Sequence, residues 1–225
     1  MNNLNLKAWL GLAFLAIAMA LFLFVPAGTV HYWQARVYLF IFTGACFLIT
    51  LYLIKNDRAL LQRRLNAGPV AEKERAQKII MLFASIGFIA LLVVSGLDHR
   101  FGWSAIPFYV VVTGDILLAA GLYITFLVYK ENSFACATIE VAEDQRVISI
   151  GPYSLVRHPM YAGGLLYCLG TPLALGSYWG LVAFAAMTPF LLWRLFDEER
   201  FLARNLPGYT EYQETVRSRL IPGLF

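Results

Sequence analysis

Residues 160–196 read "MYAGGLLYCLGTPLALGSYWGLVAFAAMTPFLLWRLF", two apolar runs parted only at "GSYW", residues 176–179. So short a break lets the chain reverse and do little else, so the runs 160–176 and 179–196 predict a tight antiparallel helical hairpin. Pro172 and Gly176 fall near its tip, where a lost backbone donor does least harm. Outward from the hairpin, further apolar runs occupy residues 8–26, 32–54, 79–97 and 104–129. The expectation is an all-α integral membrane protein of about six transmembrane helices, the last two forming the hairpin.

Composition agrees. Of 225 residues, 60% are hydrophobic and 14% charged, and the mean hydropathy is +0.65, outside the range of soluble domains. A chain this short holds several spans but no large soluble domain, so any chemistry takes place at the membrane. The net charge of +4 is modest and scattered between apolar runs, which excludes a nucleic-acid-binding stripe. Cys46, Cys136 and Cys168 show neither CxxC nor Cys/His ligand spacing, so no disulfide framework or metal site is expected. The first run, "KAWLGLAFLAIAMALFLFVPAG", resembles a signal peptide at its ends. Its apolar stretch is longer than a signal core, and it is read as an uncleaved span.

Seven Lys and Arg residues lie between Lys55 and Lys78, whereas the segment after the third run holds Arg100 and little other positive charge. The first segment is therefore expected in the cytoplasm. Six crossings then bring residues 130–158 and the tail from Arg200 to the same side, with both termini inside.

Between the fourth and fifth runs, β-branched and apolar residues flank the acidic turn "AEDQ" (142–145), predicting a short hairpin that forms a cytoplasmic flap. In the tail, Tyr209, Tyr212 and Val216 follow a Pro-Gly turn at three- and four-residue spacing. They predict an interfacial amphipathic helix ended by Pro222.

Two clusters carry candidate chemistry. In "GPYSLVRHPMYAGG" (151–164), Pro159 disfavours helix at His158 but suits a first helical turn, so the fifth span starts at about Pro159. Its free N–H groups and positive dipole end, beside Arg157 and His158, suit a carboxylate or phosphate. Gly163 and Gly164 give clearance for a ligand or a neighbouring helix. The plainer readings are that Arg157 snorkels to lipid phosphates, the glycines are packing positions and His158 is a boundary residue. Arg157 is read here as an anchor.

The second cluster is "LLWRLFDEERFL" (191–202). Arg194 and Glu198 are four apart and share one helix face, with Glu199 about 100° round from Glu198. An interfacial ion pair is the plain reading. Arg194 nevertheless lies within an apolar run, where a charge must pair or line a polar cavity, and it is suited to orienting an anionic substrate.

Taken in order, "GPYSLVRHPMYAG", a two-span hairpin and then "R…DEE…L…Y…Y" resemble the isoprenylcysteine carboxyl methyltransferase family and its phospholipid methyltransferase relatives. The resemblance covers about residues 130–225. It implies S-adenosyl-L-methionine as cofactor, in a cytoplasmic pocket covered by the tail. It assigns cofactor contacts to Gln145, Arg146, Val147 and Ile148, to Tyr153, to His158, Pro159, Met160 and Tyr161, and to Glu198, with a further contact near Thr138. Arg194 is implied to meet the acceptor and is the expected catalytic residue. The chain then divides into an amino-terminal four-span region, residues 1–129, and a catalytic region, residues 130–225.

The short chain, basic loops and "RHPMYAG" form point to a prokaryotic cell membrane. The expected partners are membrane lipids and a lipophilic acceptor, first an isoprenylcysteine-like carboxylate, then a phospholipid head group or a small thiol. A sterol-reductase-like oxidoreductase and a non-catalytic scaffold are the readings from other classes.

Overall fold

The computed structural model describes residues 3–65, 72, 74–135, 138–139, 141 and 144–225. Its helices are α1 (Asn3–Ala27), α2 (Trp33–Asn56), α3 (Arg58–Leu65), α4 (Arg75–Phe101), α5 (Phe108–Glu131), α6 (Pro159–Ala174), α7 (Trp179–Asn205) and α8 (Tyr209–Thr215), with a 3-10 turn at Gly151–Ser154 before α6. Every predicted apolar run is a helix. Five of them, α1, α2, α4, α5 and α7, are long and apolar enough to cross a membrane. At 16 residues, α6 reaches only ~24 Å, short of a hydrocarbon layer about 30 Å thick.

Bare backbone is what brings α5 and α6 together. A Cβ on Gly114 would lie 2.1 Å from the nitrogen of Ala174, one on Gly170 2.7 Å from the carbonyl of Gly114, and one on Gly121 2.5 Å from the carbonyl of Gly163. These contacts run antiparallel with a seven-residue step on each helix, the small-residue packing that substitutes for a hydrophobic drive between helices in lipid. Gly96 of α4 meets the backbone of Leu23 and Ala27 in α1 the same way. On the other side α4 lies antiparallel to α7, with Phe83 stacked on Phe190 at 4.8 Å and Gly87 against Met187.

The two ends differ chemically. At one, Trp103 lies near Phe101 and Trp179, and Trp33 near Phe108, an aromatic belt of the kind that marks a membrane interface. The hairpin tip is fixed there by buried Asp98. It accepts hydrogen bonds from the backbone and hydroxyl of Ser104 at 2.7 and 2.6 Å, and from Ser177 at 2.5 Å. Gly176 turns the chain at φ +71°, where a side chain would be strained. The opposite end is basic and carries α3, whose first turn is capped by Asp57 accepting from the Leu60 N–H at 2.8 Å.

Three expectations need correction. The predicted flap hairpin does not appear: among the described residues of 138–150 there is no strand. Val141 and Val147, like Leu202, pack against Leu206, Tyr209, Tyr212 and Val216; residues 142 and 143 of that turn, like Cys136, lie outside the described residues. The tail helix stops at Thr215, well before Pro222. The carbonyls beyond it are drawn to the loop before α6, Val216 and Arg217 to the Arg157 guanidinium, Ser218 and Arg219 to the N–H groups of Arg157 and His158. Finally, the apolar face of α8 is buried against protein, not laid into a lipid interface: Tyr209, Tyr212 and Val216 are all buried.

Candidate functional site

A cavity of about 900 Å³ opens at the basic end, between α5, α6 and α7 and beneath α8. Its polar part is formed by the two sequence clusters. Pro159 starts α6 as expected, with His158 in the N-cap position at φ −123°, and His158, Pro159, Met160 and Tyr161 line the cavity. From α7, Arg194 and Glu198 reach the same space. The Tyr161 hydroxyl donates to Glu198 Oε2 at 2.6 Å, tying the clusters together.

Tyr153, on the 3-10 turn, forms another wall; its hydroxyl accepts from Asn132 Nδ2 at 2.8 Å, and its carbonyl accepts from the Tyr212 hydroxyl at 2.7 Å. Burial pushes the Tyr153 phenol above its usual range, with Asn132 pulling the other way. Burial also raises Tyr209, helped by the nearby charges of Glu199 and Glu198, and pushes Tyr212 up to about 12. These aromatic walls therefore present neutral phenols at any ordinary pH. Thr138, Gln145, Arg146, Val147 and Ile148 complete this part of the lining, so all twelve candidate residues from the sequence border one cavity.

Arg157 is not a lipid anchor. It also borders the cavity but is only 6% exposed. Its Nε and Nη2 lie 2.7 and 2.6 Å from Glu199 Oε1. The second Glu199 oxygen accepts from Arg219 Nε at 2.8 Å. One carboxylate thus joins the loop before α6 to the tail, and with it closes α8 over the cavity. The two glycines divide their work: a Cβ on Gly163 would strike α5, whereas Gly164 faces open space in the cavity wall.

Sequence reasoning missed the apolar half. Phe14 and Leu15 of α1, Met81 and Phe88 of α4, and Met187 and Leu191 of α7 also line the cavity and make up an apolar arm of its lining. Phe14, 74% exposed, and Ile89, 37% exposed, belong both to the cavity wall and to the outer surface. Also missed were Asn132, Tyr209 and Tyr212 as walls, and Glu72 and Gln77, which hold Arg194. Arg194 Nη2 lies 2.6 Å from Glu72 Oε1 and Nη1 donates to Gln77 Oε1 at 2.9 Å. The aromatic spacing of the tail was a usable signal for the walls; Glu72 and Gln77 sit in a charged segment with no pattern to single them out.

The phospholipid methyltransferase family model matches residues 109–207, which take in both clusters and the hairpin. A probable protein-S-isoprenylcysteine O-methyltransferase of Oryza sativa subsp. indica is 39% identical over 85 residues, 35% of this chain and 42% of the relative; the chain spans about two-fifths of that relative's length. Protein-S-isoprenylcysteine O-methyltransferase A of Arabidopsis thaliana is 26% identical over 148 residues, 62% of this chain and 71% of the relative. A solved structure of a eukaryotic intramembrane Ras methyltransferase, an isoprenylcysteine carboxyl methyltransferase, aligns with 98% of this chain and 96% of its own at 19% identity and a TM-score of 0.38.

Proposed function

We propose that this chain is a member of the isoprenylcysteine carboxyl methyltransferase and phospholipid methyltransferase family, a membrane enzyme that methylates a lipophilic acceptor with S-adenosyl-L-methionine. The observation that carries the reading is the cavity's mixed lining, in which polar groups including Arg194 and Glu198 stand with an apolar set from α1, α4 and α7. A soluble cofactor and a lipid-borne acceptor need such a meeting place.

The residues present fit the cofactor. The positive dipole end of α6, with His158, suits its carboxylate; Glu198 suits an amino group or ribose; Tyr153, Tyr209 and Tyr212 supply apolar faces for the adenine. Bound there, S-adenosyl-L-methionine would supply an electrophilic methyl on a sulfonium. The protein's part is positioning. Transfer to a carboxylate is an in-line displacement with no proton to move, so alignment and exclusion of water carry most of the rate. Arg194 orients the acceptor's anion, and the tail latched through Glu199 keeps water out.

An amine or thiol acceptor needs a base as well. Glu199 is already held between two arginines, which leaves Glu198 and His158. The apolar arm suits an alkyl or prenyl chain entering sideways from the lipid, and the basic end is taken as cytoplasmic.

Calorimetry on purified protein tests the cofactor half: S-adenosyl-L-methionine or its demethylated product is expected to bind in the micromolar to sub-millimolar range, and absence of binding overturns the reading. Membranes incubated with methyl-labelled cofactor and read by mass spectrometry identify the acceptor; label in a molecule with a long apolar chain is expected.

A further inference from the structure

Arg194 borders the cavity, but among the described residues lining it neither Glu72 nor Gln77 appears. Both stand behind the guanidinium. Glu72 is 4%, Gln77 3% and Arg194 6% exposed, so the 2.6 Å contact between Glu72 and Arg194 is made away from water. Gln77 is fixed in turn, its Nε2 donating to Asp197 Oδ2 at 3.0 Å. We propose that Glu72 sets the charge the cavity presents to the acceptor, making it a specificity-determining residue that acts through Arg194. The inference rests on Arg194 being the group that meets the acceptor's anion.

The chemistry says why such a counter-charge is useful. When a carboxylate oxygen forms its bond to the methyl carbon, the carbon–sulfur bond breaks and the electron pair leaves with sulfur. Carboxylate and sulfonium charges vanish together, and the products are a neutral ester and a neutral thioether. A full cation beside the nucleophile would stabilise the ionised ground state more than the charge-losing transition state, tightening binding while slowing the step. Glu72 cancels most of that cation at close range, while Arg194 still lines the cavity. Replacing Glu72 by Gln keeps the shape and an acceptor oxygen for Arg194 but restores the cation.

The probes are dodecanoate and dodecanamide, alike in chain and shape but differing in charge, titrated against the full-length protein in nanodiscs. Glu72→Gln is expected to tighten dodecanoate about tenfold and leave dodecanamide within about twofold. S-adenosylhomocysteine binding, measured on the same samples, is expected to stay unchanged. With a carboxylate acceptor, KM is expected to fall and kcat to fall with it, a split that loss of folded protein would not give. Parallel weakening of both probes, or no change in either, overturns the inference. The pair Arg194→Gln and Arg194→Gln with Glu72→Gln repeats the test without a bare buried cation: the double variant is expected to bind dodecanoate several-fold more tightly than the single, and equal binding overturns the inference. If Arg194→Gln leaves both probes bound as in the unaltered protein, the acceptor role of Arg194 itself fails, and the inference with it. If Arg194→Gln weakens dodecanoate while Glu72→Gln moves both probes alike, only the inference fails.

Discussion

Glu198 and Glu199 are neighbours on α7, and the 100° between successive helical residues sends them to different tasks. Glu198 faces the cavity and accepts from Tyr161; Glu199 faces the tail and holds Arg157 and Arg219. The proposed division between Glu198 and Arg194 gives a prediction at this scale. Glu198→Ala is expected to weaken cofactor affinity about tenfold or more, as loss of a charged hydrogen-bond acceptor does. Arg194→Ala is expected to lower turnover of an anionic acceptor about a hundredfold while leaving cofactor affinity within about threefold. Calorimetry beside single-turnover rates separates the two, and equal losses of cofactor affinity would overturn the division. Spacing was enough to read Arg194 and Glu198 on one face, because helical periodicity is local. The burial of Arg157 was not legible: an arginine at an apolar boundary looks the same in sequence whether it snorkels to lipid or meets Glu199, 42 residues on.

Among the elements, α8 is the least securely held by its own sequence. At seven residues it is too short to persist alone, so its position depends on the Glu199 latch, on the cluster of Leu206, Tyr209, Tyr212 and Val216, and on the Tyr212 hydrogen bond to Tyr153. Tyr212→Phe removes that bond, leaving the Tyr153 carbonyl without this donor, and is expected to destabilise tail closure by about 1 kcal/mol. Limited proteolysis of residues 205–217 should then run roughly fivefold faster, with no loss of the helical circular-dichroism signal. The phenol's raised pKa gives the sign of the pH effect. Its contribution is complete below the ordinary tyrosine value near 10 and is lost as pH rises through about 12. Tail protection is therefore expected to be flat between pH 6 and 9 and to fall above about 10, the upper fall being smaller in Tyr212→Phe.

The α5–α6 contact is stricter. Gly121→Leu forces a side chain into the backbone of Gly163 and Tyr167 and is expected to abolish stable folding in detergent. Gly164→Ala, facing open space, is expected to leave thermal stability within about 0.5 kcal/mol. The six apolar helices were legible from composition because lipid demands uninterrupted apolar length. The tail's exit from helix at Val216 was not, since it is set by hydrogen bonds to Arg157 and His158 from a distant part of the chain.

At the scale of the whole molecule, α1 packs closely on α4 at the aromatic end. Gly96 there lets the α4 backbone touch Leu23 and Ala27. Toward the basic end, Leu15 and Phe14 line the same cavity as Ala84, Ser85 and Phe88. The amino-terminal helices, which carried no recognisable motif, thus contribute apolar lining to a cavity whose twelve sequence-predicted residues all lie in the last two-fifths of the chain. Motif reading finds residues that bind by charge and hydrogen bonds, but an apolar wall needs only bulk, which many sequences supply. Ala84 is the position at which to test that wall. It is 8% exposed and lines the arm, remote in sequence from the polar clusters. Ala84→Trp adds an indole where an acceptor chain is expected to lie, removing space without altering charge. A twelve- to fifteen-carbon acceptor should show KM raised about tenfold or more, matching the lost burial of two or more methylenes at roughly 0.8 kcal/mol each. An acceptor with four carbons or fewer, ending short of the indole, should react as before, and S-adenosylhomocysteine affinity should be unchanged. Equal loss for short and long acceptors would mean that the arm does not hold the chain, and would move acceptor entry to the basic face.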